Sequence, residues 1–191
     1  MSITPRRWSG PAEASLTSAK SFFASVRSVE LDIRWADFDD PALSAFLAAH
    51  LADMAPQSPV ESQHALALEA LRRPGIRMWV AMLDGRIAGT CALADVAAEH
   101  EELKSMRTDP ALRGRGVASR LLRHVLDDAG RRQLERVSLE TGAAEFFAPA
   151  RALYRKFGFA RCRPFGAYAE DPHSVYMTRY LRETDRSGVP A

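Results

Sequence analysis

Two β-rich runs, Glu101 to Thr108 and Arg136 to Thr141, flank a stretch in which Val117, Leu121, Leu122, Val125 and Leu126 fall on one helical face. A helix of that length is the crossover that two parallel neighbouring strands need, so the segment predicts a β-α-β unit. Upstream, Ile76 to Leu83 and Arg86 to Val96 are β-rich runs divided by Asp84 and Gly85, a strong hairpin signal, and hairpin strands are antiparallel. A sheet holding both kinds of neighbour is mixed, with helices on its faces.

The remaining elements follow the same periodicities. Val29 to Trp35 alternates as a strand, and Asp39 followed by Pro41 offers a cap for a helix reaching about Met54. Val60, His64, Leu68 and Leu71 recur at helical spacing before Pro74 and Gly75 end the run. Phe147 to Phe157 is a helix closed by Gly158, and strands are expected near Ala160 and at Ser174 to Leu181. There is no internal repeat. The 191 residues suffice for one domain with a full core and are too few for two ordinary ones.

Charge excludes some partners. The 26 basic side chains are offset by 24 acidic ones and form no run, so nucleic acid is not an expected partner. Cys91 and Cys162 are too few for a disulfide framework and lack the spacing of a zinc site, which fits a reducing cytoplasm. No apolar stretch approaches the roughly 20 residues that span a bilayer, so no membrane association is expected. Residues 1–27 read as a loose tail, although their Arg- and Ser-rich, acid-poor character is also that of a transit peptide. Residues 183–191 read as a second tail.

The turn Arg113-Gly114-Arg115-Gly116-Val117-Ala118 lies where a strand hands over to a helix. Glycines there let backbone N–H groups approach an anion, the helix N-terminus adds partial positive charge, and two arginines can supplement both. A glycine pair also simply permits a tight turn. A Walker loop is excluded because Val117-Ala118 replace its Lys and Ser/Thr. A dinucleotide fingerprint is weakened by Ser119, although Glu140 imitates its ribose acid.

Arg113 to Ala118 matches the Gln/Arg-x-x-Gly-x-Gly/Ala signature, and the chain resembles the GCN5-related N-acetyltransferases (GNAT). Glu102 to Thr108, the helix after the turn, Ser138 to Gly142 and Ala152 to Phe159 look like the family's consecutive core segments. The resemblance covers residues 28–182. It implies a single-domain α+β acyl-CoA N-acyltransferase fold with a mixed, mostly antiparallel sheet of six to seven strands, helices on both faces and a splayed central strand pair. It further implies acetyl-CoA as co-substrate, no metal, and commonly a homodimer. The cofactor would be held by Met106, Arg107, Thr108, Arg113, Gly114, Arg115, Gly116, Val117, Ala118 and Tyr154.

The same resemblance makes Tyr154 the general acid that protonates the departing thiolate, although its helical stripe also suits a core-edge aromatic. The attacking amine must be neutral, which calls for a base. Glu102 is the first choice and Glu140 a second carboxylate one strand away; either also suits a salt-bridged strand residue. For the acceptor pocket the residues are His64, Glu140 and Tyr168, with a buried, hydrogen-bonded imidazole the alternative for His64. The expected activity is transfer of an acetyl group to the primary amine of a small molecule. A non-catalytic acyl-CoA sensor and a protein or peptide N-acetyltransferase are the alternatives.

Overall fold

The computed structural model describes residues 31–57 and 68–182. Strand β1 (Asp32–Trp35) precedes helix α1 (Pro41–Met54). Asp40, rather than Asp39, caps that helix by accepting from the Ala42 N–H at 2.8 Å, with Pro41 in the first turn. Of the helix expected over Val60 to Leu71, a single turn, α2 (Leu68–Leu71), falls within the described residues, and His64 lies outside them. The same holds for the two expected tails.

Strands β2 (Ile76–Leu83) and β3 (Arg86–Ala97) form the expected hairpin, with Asp84 and Gly85 both at positive φ as a two-residue loop requires. Strand β4 (His100–Thr108), helix α3 (Val117–Arg131) and strand β5 (Arg136–Gly142) make the crossover. Helix α4 (Ala148–Lys156) and strands β6 (Ala160–Arg161) and β7 (Ser174–Tyr180) complete the described chain.

Among the described residues the sheet has seven strands in the order β1-β2-β3-β4-β5-β7-β6. Every neighbouring pair is antiparallel except β4 and β5. The period of two along the strands sorts two cores. Ala81, Cys91, Leu93, Leu103, Val137 and Leu139 join Leu121, Leu122 and Val125 of α3 and Tyr154 of α4. Met78, Val80 and Ala92 instead meet Leu43 and Leu47 of α1. Each fully buried Leu contributes roughly 1.5–3 kcal/mol of transfer free energy, so α3 is held chiefly by its apolar stripe.

Polar contacts fix the far end of α3. Glu101, buried on β4, takes Arg132 in a bidentate pair, with Nη2 at 2.6 Å from Oε2, while Arg132 Nε donates to Asp128 at 2.9 Å. The parallel ladder itself is short. It runs through His100↔Arg136, Glu101↔Val137 and Glu102↔Ser138 and then stops. Beyond Glu102 and Ser138 the two strands part, as the splayed pair requires.

Candidate active site

The opening between the strands begins with a distortion of β4. Thr90 faces Arg107 and Ala92 faces Lys104, so β4 carries one residue more than β3 across this step, a β-bulge. Ser105 takes φ +51°, and its carbonyl accepts from the Thr90 hydroxyl at 2.9 Å. The bulge separates its neighbours. Met106 packs toward the α3 core, whereas the Arg107 side chain turns to α1, over the Phe46 ring and 3.0 Å from Asp53.

The glycine turn follows. Gly114 and Gly116 hold φ of 77° and 81°, a conformation that L side chains adopt only with strain, and a Cβ at either would meet nothing within 4 Å. Gly116 opens α3 without a side-chain cap. The N–H groups of Val117, Ala118 and Ser119 precede the first helical hydrogen bond, from Arg120 to the Gly116 carbonyl at 3.0 Å. An uncapped N-terminus approached by open space suits an anion.

The turn, the bulge and α4 bound a cavity of about 600 Å³. Of the expected cofactor residues, Met106, Arg107, Thr108, Arg113, Gly114, Gly116, Val117, Ala118 and Tyr154 line it; Arg115 does not. The buried Thr108 hydroxyl oxygen has no partner among the described residues, so a polar ligand in the cavity would relieve a desolvation cost. These features fit a coenzyme A: a diphosphate cradle, an unpaired strand edge for amides, and an orphaned hydroxyl beside both.

Tyr154 comes from α4, 6% exposed, with its ring edge-on to Phe159. Burial, then the charges of Glu140 and Cys91, push its hydroxyl above the ordinary value of 10, so it stays protonated. Cys91, likewise buried, has its thiol pushed up by burial alone.

Of the other expected residues, Glu102, Glu140 and Tyr168 do not line this cavity. Glu102, 8% exposed, accepts from Lys104 Nζ at 2.8 Å and from the Tyr168 hydroxyl at 2.6 Å. Tyr168 also meets Lys104 Nζ at 2.9 Å and packs against the Phe165 and Tyr176 rings. Burial and the neighbouring Glu102 raise its hydroxyl pKa. Glu140 accepts from the Ser174 hydroxyl at 2.7 Å. Glu102 and Tyr168 are thus brought together, with Glu140 near enough to act electrostatically on Tyr154 and Tyr168.

Sequence reasoning missed one wall. His50, Asp53 and Met54 of α1 line the cavity, as do Phe147 and Lys156. Burial and the Arg107 charge pull the His50 pKa from 6.5 to about 4, which keeps the imidazole neutral. In the sequence these residues follow the core positions Leu43 and Leu47 on α1, and no motif marks them. Lys156 did lie within the segment Ala152 to Phe159, where Arg155 and Lys156 both follow the motif tyrosine, and of the two it is Lys156 that lines the cavity.

Comparison with known proteins agrees with this geometry. Residues 32–159 match the model of the acetyltransferase (GNAT) family. The chain is 48% identical over 132 residues to the uncharacterised N-acetyltransferase YsnE of Bacillus subtilis, spanning 69% of this chain and 87% of that protein. It is 44% identical over 153 residues to the uncharacterised N-acetyltransferase YedL of Escherichia coli, spanning 80% and 96%. An acetyltransferase of the GNAT family from Staphylococcus aureus Mu50 shares the fold with a TM-score of 0.65 at 19% identity, over 80% of this chain and 100% of that one. With a glycine turn opening α3, a β4–β5 pair that parts after three residues and a sequence match over most of the domain, the chain belongs to the GNAT family and is an acyltransferase enzyme.

Proposed function

We propose that the enzyme transfers an acetyl group from acetyl-CoA to the primary amine of a small molecule by direct attack on the thioester. The observation that carries this reading is the single cavity that joins the glycine turn, the open edge of β4 and the buried Tyr154. Bound acetyl-CoA supplies an acyl group already activated as a thioester. Arg113 and the amides of residues 114–118 hold the diphosphate, and the backbone near Met106 and Thr108 orients the arm and polarises the carbonyl.

Tyr154 gives its proton to the departing thiolate, a role that its burial supports by keeping it in the acid form. Glu102 is the proton acceptor for the amine, reached through Tyr168, whose hydroxyl already donates to it at 2.6 Å. As the Tyr168 proton moves to Glu102, the phenol oxygen takes one from the ammonium, and charge balances. Helix α1 walls the cavity through His50, Asp53 and Met54, which suits a compact acceptor better than a polypeptide. The cytoplasm agrees with both cysteines being free thiols.

The test is release of free coenzyme A thiol across a panel of amines, with acetyl-CoA binding measured separately by calorimetry. Turnover is expected with at least one acceptor, with initial rates that intersect as a sequential mechanism requires. Parallel, ping-pong lines would exclude direct attack, and binding without release by any acceptor would leave a cofactor-binding module.

A further inference from the structure

The Arg107 side chain points away from the α3 core that its neighbour Met106 joins. Arg107 lines the cavity together with His50, Asp53 and Met54 of α1, and its side chain, 8% exposed, leaves on the face toward that helix, where it meets Asp53 and the Phe46 ring. Among the described residues its one polar side-chain contact is Nη2 with Asp53 at 3.0 Å, and its buried Nε has no partner. Arg132 shows the contrast within the same domain: its guanidinium is engaged on three nitrogens by Glu101 and Asp128. Buried guanidinium groups are normally satisfied in that way.

The one partner of Arg107 is easily displaced. The Asp53 side chain is 45% exposed, and an ion pair with so exposed an acid is weak. Both residues line the cavity, so the Asp53 carboxylate marks a place where a carboxylate can reach the guanidinium. His50, neutral beside them, brings no competing cation. Arg107 directly follows Met106, about 3.3 Å further along the strand, so an anion on its side chain lies a short linker away from a nitrogen attacking at the Met106 backbone.

We infer that Arg107 anchors a carboxylate of the acceptor, which makes the acceptor an amino acid. The inference rests on the acyl-transfer reading above and names the substrate class of the same site. The incoming carboxylate takes the fork geometry that Arg offers, and Asp53 turns to solvent.

Thiol release is compared for the twenty L-amino acids, each against its carboxamide and its decarboxylated amine, with acetyl-CoA affinity measured in parallel. At least one amino acid is expected to exceed its carboxamide in kcat/KM by about 100-fold or more. Arg107→Gln should abolish that preference through KM while acetyl-CoA affinity holds. Asp53→Asn, which removes the competing carboxylate, should lower the acceptor KM. Should Arg107→Gln fail to bind acetyl-CoA, Arg107→Lys replaces it and is expected to keep the preference with KM raised about 10-fold. Carboxamides or decarboxylated amines that match their parent acids overturn the inference, and so does acetyl-CoA binding without turnover of any amino acid. A KM rise in Asp53→Asn equal to that in Arg107→Gln also overturns it, since the pair would then be structural. Wild-type protein that fails to bind acetyl-CoA overturns the acyl-transfer reading itself.

Discussion

In the proposed mechanism Tyr154 has to meet two demands that usually conflict. A general acid should give up its proton readily, yet burial next to Glu140 makes this phenol hold it more tightly than a free tyrosine does. The gain is a defined protonation state: across neutral pH the hydroxyl is always the acid, and the sulfur's need for a proton arises only as the carbon–sulfur bond breaks. Tyr154→Phe is therefore expected to lower kcat about 100-fold while shifting the acetyl-CoA Kd by less than about 3-fold. Steady-state kinetics with calorimetry check it, and an unchanged kcat would remove Tyr154 from the mechanism. With its pKa raised, Tyr154 also contributes no alkaline decline in kcat up to pH 9. The place of Tyr154 on the cavity lining was legible because it stands in a contiguous motif. Asp53 and His50 were not, because what brings them to Arg107 is the packing of α1 against the sheet, and nothing local in the sequence encodes that meeting.

At the scale of elements, the strand-turn-helix unit was readable almost to the residue, since a glycine pair, an apolar stripe and a β-rich run each carry a local signal. The bulge in β4 was not. Its positive-φ residue is Ser105, where no glycine or asparagine announces a left-handed backbone, and the conformation is imposed by the pairing with β3 and the Thr90 hydroxyl. Gly116 carries the opposite lesson, because there the sequence states the backbone outright. Gly116→Val places a β-branched residue at φ near 81°, at a cost of about 1–2 kcal/mol. It is expected to raise the acetyl-CoA Kd by about 10-fold or more through loss of the turn, with the larger effect on affinity rather than on kcat at saturation. Unchanged affinity in titration calorimetry would count against the phosphate cradle.

For the whole molecule, the mixed sheet was legible from one crossover and one hairpin, while the order β5-β7-β6 depends on long-range pairing that periodicity does not reveal. One property of the intact fold follows from His50. Its folded pKa is about 4 against 6.5 for an ordinary imidazole, so between those values the unfolded chain binds a proton that the folded chain refuses. Stability from this group is full above pH 6.5 and falls as pH drops through that window toward 4. Melting temperatures recorded from pH 7 to pH 4 should show a downward slope that is shallower in His50→Gln. Equal slopes in the two proteins would mean that His50 is not held neutral by the fold.

The parting of β4 and β5 after three paired residues gives the sheet two edges in its interior, in addition to its two outer ones. Unpaired strand edges are ordinarily a hazard, because another chain can add to them and start aggregation. Here each edge faces the other inside the sheet, because β4 is paired with β3 and β5 with β7 on their far sides. In the proposed reading a slender chain bearing its own amides fills that slot, so that the same opening which would be a hazard at an outer edge becomes the place where the ligand completes the sheet.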